Sequence, residues 1–151
     1  MIIHAPLSGT VTPLAQVPDP VFSAGMVGGG MAVTPPDDAE TLHVVAPVSG
    51  RLVQVMPHAF AILTPEGPGI LVHVGLDTVE LEGRGFATHK AKGDQVAAGE
   101  EVITVTAGVV REAELSLVCP VVVMDAAGTA IARRADADAA IDSGELLFEL
   151  S

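Results

Sequence analysis

Two of the five histidines stand out because each lies at the boundary of an apolar segment. His73 closes the run Gly69-Ile70-Leu71-Val72-His73, and Gly75 follows two residues later. His58 comes directly after a proline and opens the run His58-Ala59-Phe60-Ala61-Ile62. Short apolar runs rich in branched residues are typical of strands. We therefore expect both imidazoles to lie at strand ends, where antiparallel pairing would bring them side by side.

Two adjacent imidazoles are suited to two kinds of chemistry. One ring nitrogen can attack a phosphoryl group while the other ring donates a hydrogen bond to the phosphate oxygens. Both rings can instead ligate zinc. The third interpretation is a pair of unrelated histidines at strand ends, and the residues alone leave all three open. Gly75 beside His73 would let a phosphate or a hydrogen-bond donor approach the backbone closely.

The pattern around these histidines predicts mainly strands. We expect strands at the following segments: Gly30–Thr34, Leu42–Ala46, Arg51–Val55, Phe60–Thr64, Gly69–Val74, Glu101–Thr106, Cys119–Met124 and Leu146–Leu150. Alternation places Leu71 and His73 on one strand face, which we expect to be the core face, with the ring emerging at the rim. A helix is predicted over Ala107–Leu117 and a helical turn over Thr78–Leu81.

An internal repeat indicates how these strands are organised. The segment Ala5-Pro6-Leu7-Ser8-Gly9-Thr10-Val11 returns as Ala46-Pro47-Val48-Ser49-Gly50-Arg51-Leu52. In each copy a proline ends one strand, a Ser-Gly turn follows and a second apolar run begins. The repeat indicates either two similar hairpin turns or a duplicated β-motif whose halves pack on each other. No linker-like segment interrupts the chain, so we expect one all-β domain over residues 1–151.

Composition and charge exclude several classes of function. The net charge is −12, with 19 Asp and Glu against 7 Lys and Arg, which disfavours binding to nucleic acid or to anionic membranes. A basic protein partner would be steered toward such a surface. Cys119 is the single cysteine, so no intrachain disulfide can form. The sequence shows no signal peptide or membrane-spanning run, and we expect a cytoplasmic protein.

The segments around both histidines resemble glucose-type enzyme IIA of the bacterial sugar phosphotransferase system. Order and spacing match from Ala5 to about Val105. The segments that carry the resemblance are Ala5-Pro6-Leu7-Ser8-Gly9, Val17-Pro18-Asp19-Pro20-Val21-Phe22 with Val27-Gly28-Gly29-Gly30, Val45-Ala46-Pro47-Val48-Ser49-Gly50, His58-Ala59-Phe60, and Val72-His73-Val74-Gly75-Leu76-Asp77-Thr78-Val79-Glu80-Leu81.

The resemblance implies a β-sandwich or barrel of duplicated hybrid motifs with one or two short helices. It implies that His73 accepts a phosphoryl group on Nε2, forming a phosphohistidine, and that His58 stabilises the phosphate. As a further hypothesis, backbone N–H groups near Gly75 act as additional donors to the phosphate. Other residues similar to partner-contacting positions are Asp19, Phe22, Phe60 and Asp77. The implied donor is the histidine phosphocarrier protein, and the implied acceptor is a cysteine of the sugar-specific enzyme IIB domain.

The same resemblance implies that no cofactor is required, although a regulatory zinc completed by a partner's ligand could bind His58 and His73. One position departs from the family pattern. The family often has a threonine two residues before the second histidine, and Met56 stands there in this chain. A thioether accepts hydrogen bonds weakly and donates none. A backbone carbonyl is then the remaining candidate for orienting His58.

Two other functions are compatible with parts of the sequence. A zinc-dependent peptidase of the lysostaphin type carries a His-x-x-x-Asp motif, which His73-Val74-Gly75-Leu76-Asp77 satisfies, but its second motif, His-x-His, does not occur in this chain. A non-catalytic regulator would bind permeases or kinases through the apolar face that the family uses. Phosphorylation would alter such docking by adding nearly two negative charges. Cys119 lies in an apolar run, and we expect it to be buried.

Overall fold

The computed structural model describes residues 1–24, 28–124 and 131–150, most of which form short strands. The strands of the described residues are β1 Ile2–His4, β2 Gly9–Pro13, β3 Gly28–Thr34, β4 Thr41–Val45, β5 Gly50–Met56, β6 Ala59–Leu63, β7 Gly69–His73, β8 Phe86–Thr88, β9 Gln95–Val96, β10 Glu101–Thr106, β11 Cys119–Met124, β12 Ile131–Arg134, β13 Ala140–Ile141 and β14 Leu146–Leu150. Two short α-helices, α1 Pro20–Ser23 and α2 Ala107–Glu112, and two 3-10 turns, Leu14–Gln16 and Thr78–Leu81, accompany them. The expected all-β fold with short helices is confirmed.

The strands pair antiparallel in one large sheet and two small ones. The large sheet has the order β13-β2-β3-β11-β7-β6-β5-β9, and the small sheets have the orders β1-β14-β12 and β4-β10-β8. Reading outward from the central pair β11 and β7, the two halves of the large sheet follow the same plan. Each half has a central strand, then two strands paired antiparallel with each other, and then a very short edge strand. Neither the length nor the composition of a membrane-spanning helix occurs in any helix of the described residues.

Equivalent hydrogen bonds in the two halves confirm the duplicated motif. The Ser8 hydroxyl oxygen accepts the Ser143 N–H at 2.9 Å, and the Ser49 hydroxyl oxygen accepts the Ala98 N–H at 2.9 Å. Ser8 and Ser49 occupy the same position in the sequence repeat. A hydroxyl that receives an N–H from a distant turn fixes how β2 and β5 leave their respective turns. The sequence repeat is therefore a structural repeat, with each copy tied to its own partner turn.

The predicted strands are confirmed to within two residues at each end. The six strands that were not predicted are short, between two and five residues: β1, β2, β8, β9, β12 and β13. The alternation of apolar and polar residues in a strand can be recognised only over several successive residues, so these strands are too short to be predicted from it. The helical turn over Thr78–Leu81 is also confirmed.

The face assignment on β7 was wrong. Ile70 and Val72 are fully buried and belong to the main core, whereas Leu71 and His73 are partly exposed and point to the opposite face. That opposite face is covered by a second, smaller apolar cluster consisting of Val17, Phe22, Ala32, Leu76, Val118 and Val122, with Leu71 packed against it. Both faces of β7 are thus covered. The continuous apolar sequence of the strand therefore does not indicate which face belongs to the main core.

The predicted helix Ala107–Leu117 is too long. It ends at Glu112, and Glu114 adopts a left-handed conformation with φ of 60°. The following loop directs Leu117 and Val118 into the interior, where each is less than a tenth exposed. Continued helix would keep these two side chains from the two apolar clusters in which they pack. Burial of the loop therefore overrides the helix propensity of the residues.

Cys119 lies at the start of β11 and is fully buried, as expected. Burial raises the pKa of the Cys119 thiol to about 12. A protonated thiol without solvent access is a poor nucleophile and behaves as a small apolar side chain. Cys119 therefore contributes to the core and takes no part in chemistry at neutral pH.

Candidate functional site

The pairing of β6 with β7 brings His58 and His73 together. Ala59 lies opposite His73 in the register, and the Val74 N–H donates to the His58 carbonyl at 2.7 Å. The two ring centroids are 5.1 Å apart, and the ring planes meet at 71° in an edge-to-face arrangement. The expected juxtaposition of the two imidazoles is confirmed, and it follows directly from antiparallel register.

A backbone carbonyl determines which nitrogen of His73 carries the proton. His73 Nδ1 lies 2.6 Å from the Gly75 carbonyl oxygen. Because a carbonyl only accepts, Nδ1 is the protonated nitrogen and donates this hydrogen bond. In the neutral ring the lone pair is then on Nε2. The ring is therefore prepared for nucleophilic attack through Nε2.

Burial keeps both rings neutral. The pKa of His73 is lowered mainly by burial; the Gly75 carbonyl, Asp19 and Asp77 each oppose this by favouring the protonated ring. The pKa of His58 is lowered by burial and, secondarily, by repulsion from His73. A neutral imidazole is the form that can attack an electrophile. The site thus favours the reactive form of His73 at neutral pH.

Lowered pKa values in the folded state predict a loss of stability in acid. As the pH falls below about 6.5, the unfolded chain protonates both histidines more readily than the folded chain does. The free energy of unfolding should therefore fall as the pH decreases through this range. We expect a variant carrying His58→Gln and His73→Gln to show a shallower decline between pH 7 and pH 5. Urea unfolding at several pH values measures this, and equal slopes for variant and wild type would contradict it.

Both the backbone conformation at position 75 and the limited space around it require a glycine. Its φ is +79°, in the region that side chains rarely adopt. A Cβ at this position would lie 2.6 Å from Thr78 Cγ2 and 2.7 Å from the Ser116 carbonyl oxygen. The Gly75 N–H has no acceptor among the residues that the structure describes. This N–H is therefore available to a ligand beside His73.

We expect Gly75→Ala to lower the free energy of unfolding by roughly 1–3 kcal/mol through backbone strain, with an added penalty from the clash. Gly93→Ala is the matched control, because Gly93 also has a positive φ, +97°, but its Cβ would meet nothing within 4 Å. Chemical denaturation of both variants separates the two contributions. Equal losses in the two variants would show that the contacts with Thr78 and Ser116 cost nothing.

His58 is held without a side-chain hydrogen bond among the described residues, although it is only 8% exposed. No backbone carbonyl of those residues takes the place of the missing threonine, so the expectation of a carbonyl partner was wrong within this part of the chain. Its edge contact with His73 and its place in the β5–β6 turn fix the ring instead. Neither ring nitrogen of His58 has a hydrogen-bond partner within the described part of the chain, which leaves both available to a ligand there.

The segment before α1 forms one wall of the site. The Asp19 carboxylate accepts the Val21 N–H at 2.9 Å and caps α1. This cap places the Phe22 ring against His73, with centroids 5.3 Å apart and planes at 59°. Phe22 is 6% exposed, so it shapes the pocket more than it offers surface. Val27, which belongs to the same motif, lies outside the described residues.

The structure corrects the prediction of which apolar residues contact a partner protein. Phe60 is fully buried in the main core, because its position in β6 faces inward, and it cannot contact a partner. Among the described residues, Val21 is 45% exposed beside Phe22, and Val79 is 59% exposed beside Asp77 and Thr78. Sequence reasoning missed them, since a single valine in a short helical turn has no periodic signal.

The remaining histidines lie elsewhere and have their own partners. His4 Nδ1 bonds the Gly144 carbonyl, His43 bonds Glu101, and His89 bonds Thr104. In the parts of the chain that the structure describes, no three His, Cys, Asp or Glu side chains converge as a metal site would require. The zinc-peptidase alternative consequently lacks a ligand set in these residues.

Comparisons with known proteins agree with this geometry. The family model described as the phosphoenolpyruvate-dependent sugar phosphotransferase system, EIIA 1, matches residues 1–129. The PTS system glucose-specific EIIA component of Halalkalibacterium halodurans is 45% identical over 124 residues, which cover 81% of this chain and 69% of that protein. The PTS system mannose-specific EIIBCA component of Corynebacterium glutamicum is 46% identical over 127 residues, 83% of this chain but 18% of that protein.

A solved structure extends the likeness to the whole fold. The glucose permease IIA from Mycoplasma capricolum superposes with a TM-score of 0.87 at 34% identity, covering 98% of this chain and 94% of that one. Sequence, fold and histidine pair thus lead to one assignment. The chain belongs to the glucose-type EIIA family of the phosphoenolpyruvate-dependent sugar phosphotransferase system, whose members take part in phosphoryl transfer during sugar uptake.

Proposed function

We propose that this chain is a phosphocarrier that receives a phosphoryl group on Nε2 of His73 and passes it onward. The observation that carries the proposal is the 2.6 Å hydrogen bond from His73 Nδ1 to the Gly75 carbonyl. It supports Nε2 as the nucleophile, because the proton sits on the other nitrogen. The donor is the histidine phosphocarrier protein, and the acceptor is a cysteine of the enzyme IIB domain.

The transfer is an in-line exchange at phosphorus. The Nε2 lone pair of neutral His73 forms a new P–N bond while the P–N bond to the donor's histidine breaks and its electron pair returns to that ring. The Nδ1 proton stays on His73, held by the Gly75 carbonyl. When the phosphoryl group leaves for the IIB thiolate, the P–N bond breaks and the neutral ring is restored. No external oxidant or metal enters this balance.

Two groups beside His73 can stabilise the phosphoryl oxygens. His58 is neutral and carries one ring N–H, and its ring centroid lies 5.1 Å from that of His73. The Gly75 N–H has no protein acceptor in the described residues. Preorganised donors of this kind stabilise charge more effectively in a partly buried site than in water. We assign His58 and Gly75 to this role.

The surface around the site suits a basic partner with an apolar contact. Asp19 and Asp77 lie close enough to His73 to affect its pKa, and neither is required to touch the phosphate. The net charge of −12 adds long-range attraction. Val21 and Val79 provide exposed apolar contacts at the same place. The proposed docking surface therefore consists of Val21 and Val79 flanked by Asp19 and Asp77.

The acceptor assignment is supported by a relative. The name EIIBCA of the Corynebacterium glutamicum protein joins EIIB and EIIA in one chain, which is consistent with transfer between such units. A zinc ion at His58 and His73 would find only two ligands in the described site and would need the rest from a partner. The non-catalytic regulatory role is compatible with the phosphocarrier role, because phosphorylation changes the charge of the docking surface.

The direct test combines the chain with phosphoenolpyruvate, enzyme I and a cognate histidine phosphocarrier protein. We expect intact mass spectrometry to show one added phosphoryl group that is lost in acid, as a phosphoramidate requires. Addition of the IIB domain should discharge it. Absence of labelling by a cognate donor would contradict the phosphocarrier proposal, and labelling that IIB cannot discharge would contradict the assigned acceptor.

A further inference from the structure

We propose that Thr78 is a positioning residue for phosphoryl transfer, acting through the two peptide groups that flank Gly75. The proposal rests on the proposed function of His73, which Thr78 does not contact through any hydrogen bond. Thr78 is 1% exposed and begins the 3-10 turn that follows Asp77. Its hydroxyl is therefore withdrawn from solvent and directed at the backbone.

The first peptide group joins Val74 to Gly75. Thr78 Oγ1 donates to the Val74 carbonyl oxygen at 2.7 Å. In a trans peptide the carbonyl and the following N–H point in opposite directions, and the described residues contain no cis peptide bond. The Thr78 hydroxyl therefore fixes the direction of the Gly75 N–H on the other side of the plane. This N–H is the proposed donor to the phosphoryl group.

The second peptide group joins Gly75 to Leu76. The Leu76 N–H donates to the Ser116 carbonyl at 3.0 Å, while the Gly75 carbonyl on the opposite side accepts from His73 Nδ1. The loop after α2 thus aims the carbonyl that selects the tautomer. The Thr78 methyl carbon lies 2.6 Å from the position of a Cβ on Gly75, so it also closes the space into which this turn could relax.

Loss of the Thr78 hydroxyl alone should disturb both peptide groups that flank Gly75. The Val74 side chain is fully buried. Without the Thr78 hydroxyl, the Val74 carbonyl oxygen would lose the hydrogen-bond donor that it has among the described residues. Rotation of the Val74–Gly75 peptide toward another partner would turn the Gly75 N–H away from the site. A shift of the Gly75 Cα, which both peptide groups share, would also strain the hydrogen bond from the Leu76 N–H to the Ser116 carbonyl that aims the Gly75 carbonyl. His73 Nδ1 would then lose its fixed acceptor.

The test compares Thr78→Val, which keeps the shape and removes the hydroxyl, with Thr78→Ser, which keeps the hydroxyl and removes the methyl. Nitrogen-15 NMR of the His73 ring reports the tautomer directly. We expect Thr78→Val to give a mixture of tautomers and to slow transfer on the order of 10- to 100-fold. We expect Thr78→Ser to keep the Nδ1–H tautomer and a rate close to that of the wild type.

The outcomes separate the two proposals. A folded Thr78→Val protein with an unchanged tautomer and rate would overturn the positioning role. An equal loss in Thr78→Ser would overturn it as well, because the hydroxyl that this variant keeps would then not be what sets the tautomer and the rate. If Thr78→Val does not fold, Thr78→Cys provides the same comparison with a weakly donating thiol. A wild type that accepts no phosphate, with the tautomer still responding to Thr78→Val, would refute the proposed function alone.

Discussion

Replacement of His73 by alanine should abolish phosphate uptake from the histidine phosphocarrier protein. The substitution removes the imidazole that lies beside His58 and whose Nε2 lone pair is directed by the hydrogen bond from Nδ1 to the Gly75 carbonyl. Loss of a nucleophile that forms the covalent intermediate costs at least roughly 10⁴-fold in rate, which places labelling below detection. Intact mass spectrometry of the chain after incubation with the complete donor system measures it.

The matched control is His43→Ala. His43 is exposed, bonds Glu101 and lies in the small sheet β4-β10-β8, so its loss should leave labelling unchanged. Urea unfolding of both variants would confirm that each is folded. A phosphoryl group on the His73→Ala protein would show that another residue, with His58 the nearest imidazole, is the acceptor.

Replacement of His58 by alanine should separate acceptance from onward transfer. His73 remains intact in this variant, so we expect it to become labelled at equilibrium. Transfer to the IIB cysteine should slow by roughly 10²- to 10³-fold, because a preorganised donor to the phosphoryl oxygens is lost. Quenched-flow measurement of phosphate transfer between the two purified proteins gives the rate.

His58→Gln provides the matched control for this prediction. A glutamine amide can donate an N–H from a similar position, so it should recover part of the rate that alanine loses. Recovery would assign the effect to hydrogen-bond donation. A His58→Ala protein that discharges to IIB at the wild-type rate would remove His58 from the mechanism and leave the Gly75 N–H as the remaining proposed donor.

Local sequence pattern predicted the part of the site that depends on strand ends. The runs that end at His73 and begin at His58 are both confirmed as strands, and their pairing follows from a short connection between neighbours in sequence. The repeat at Ser8 and Ser49 predicted the duplicated motif because identical turns make identical hydrogen bonds. These features are encoded within a few residues.

Predictions failed where burial depends on distant segments. Phe60 was expected at a docking surface, yet it is fully buried because other strands of the main core cover its face of β6. Val21 and Val79 occupy the exposed positions instead. Successive side chains of a strand point to opposite faces of the sheet, but this alternation does not indicate which face another element will cover.

Residue types and spacing alone specify the chemistry available to this protein: two imidazoles at adjacent strand ends, a glycine beside one of them, and an acidic surface. How that chemistry is directed depends on contacts between segments that lie far apart in the chain. The Gly75 carbonyl, aimed by Thr78 and by the Ser116 carbonyl, selects the His73 tautomer, and Ser116 lies some forty residues along the chain. The physical reason is that side-chain type and spacing are local, whereas the orientation of a buried peptide group is set by whichever distant partner satisfies its hydrogen bonds.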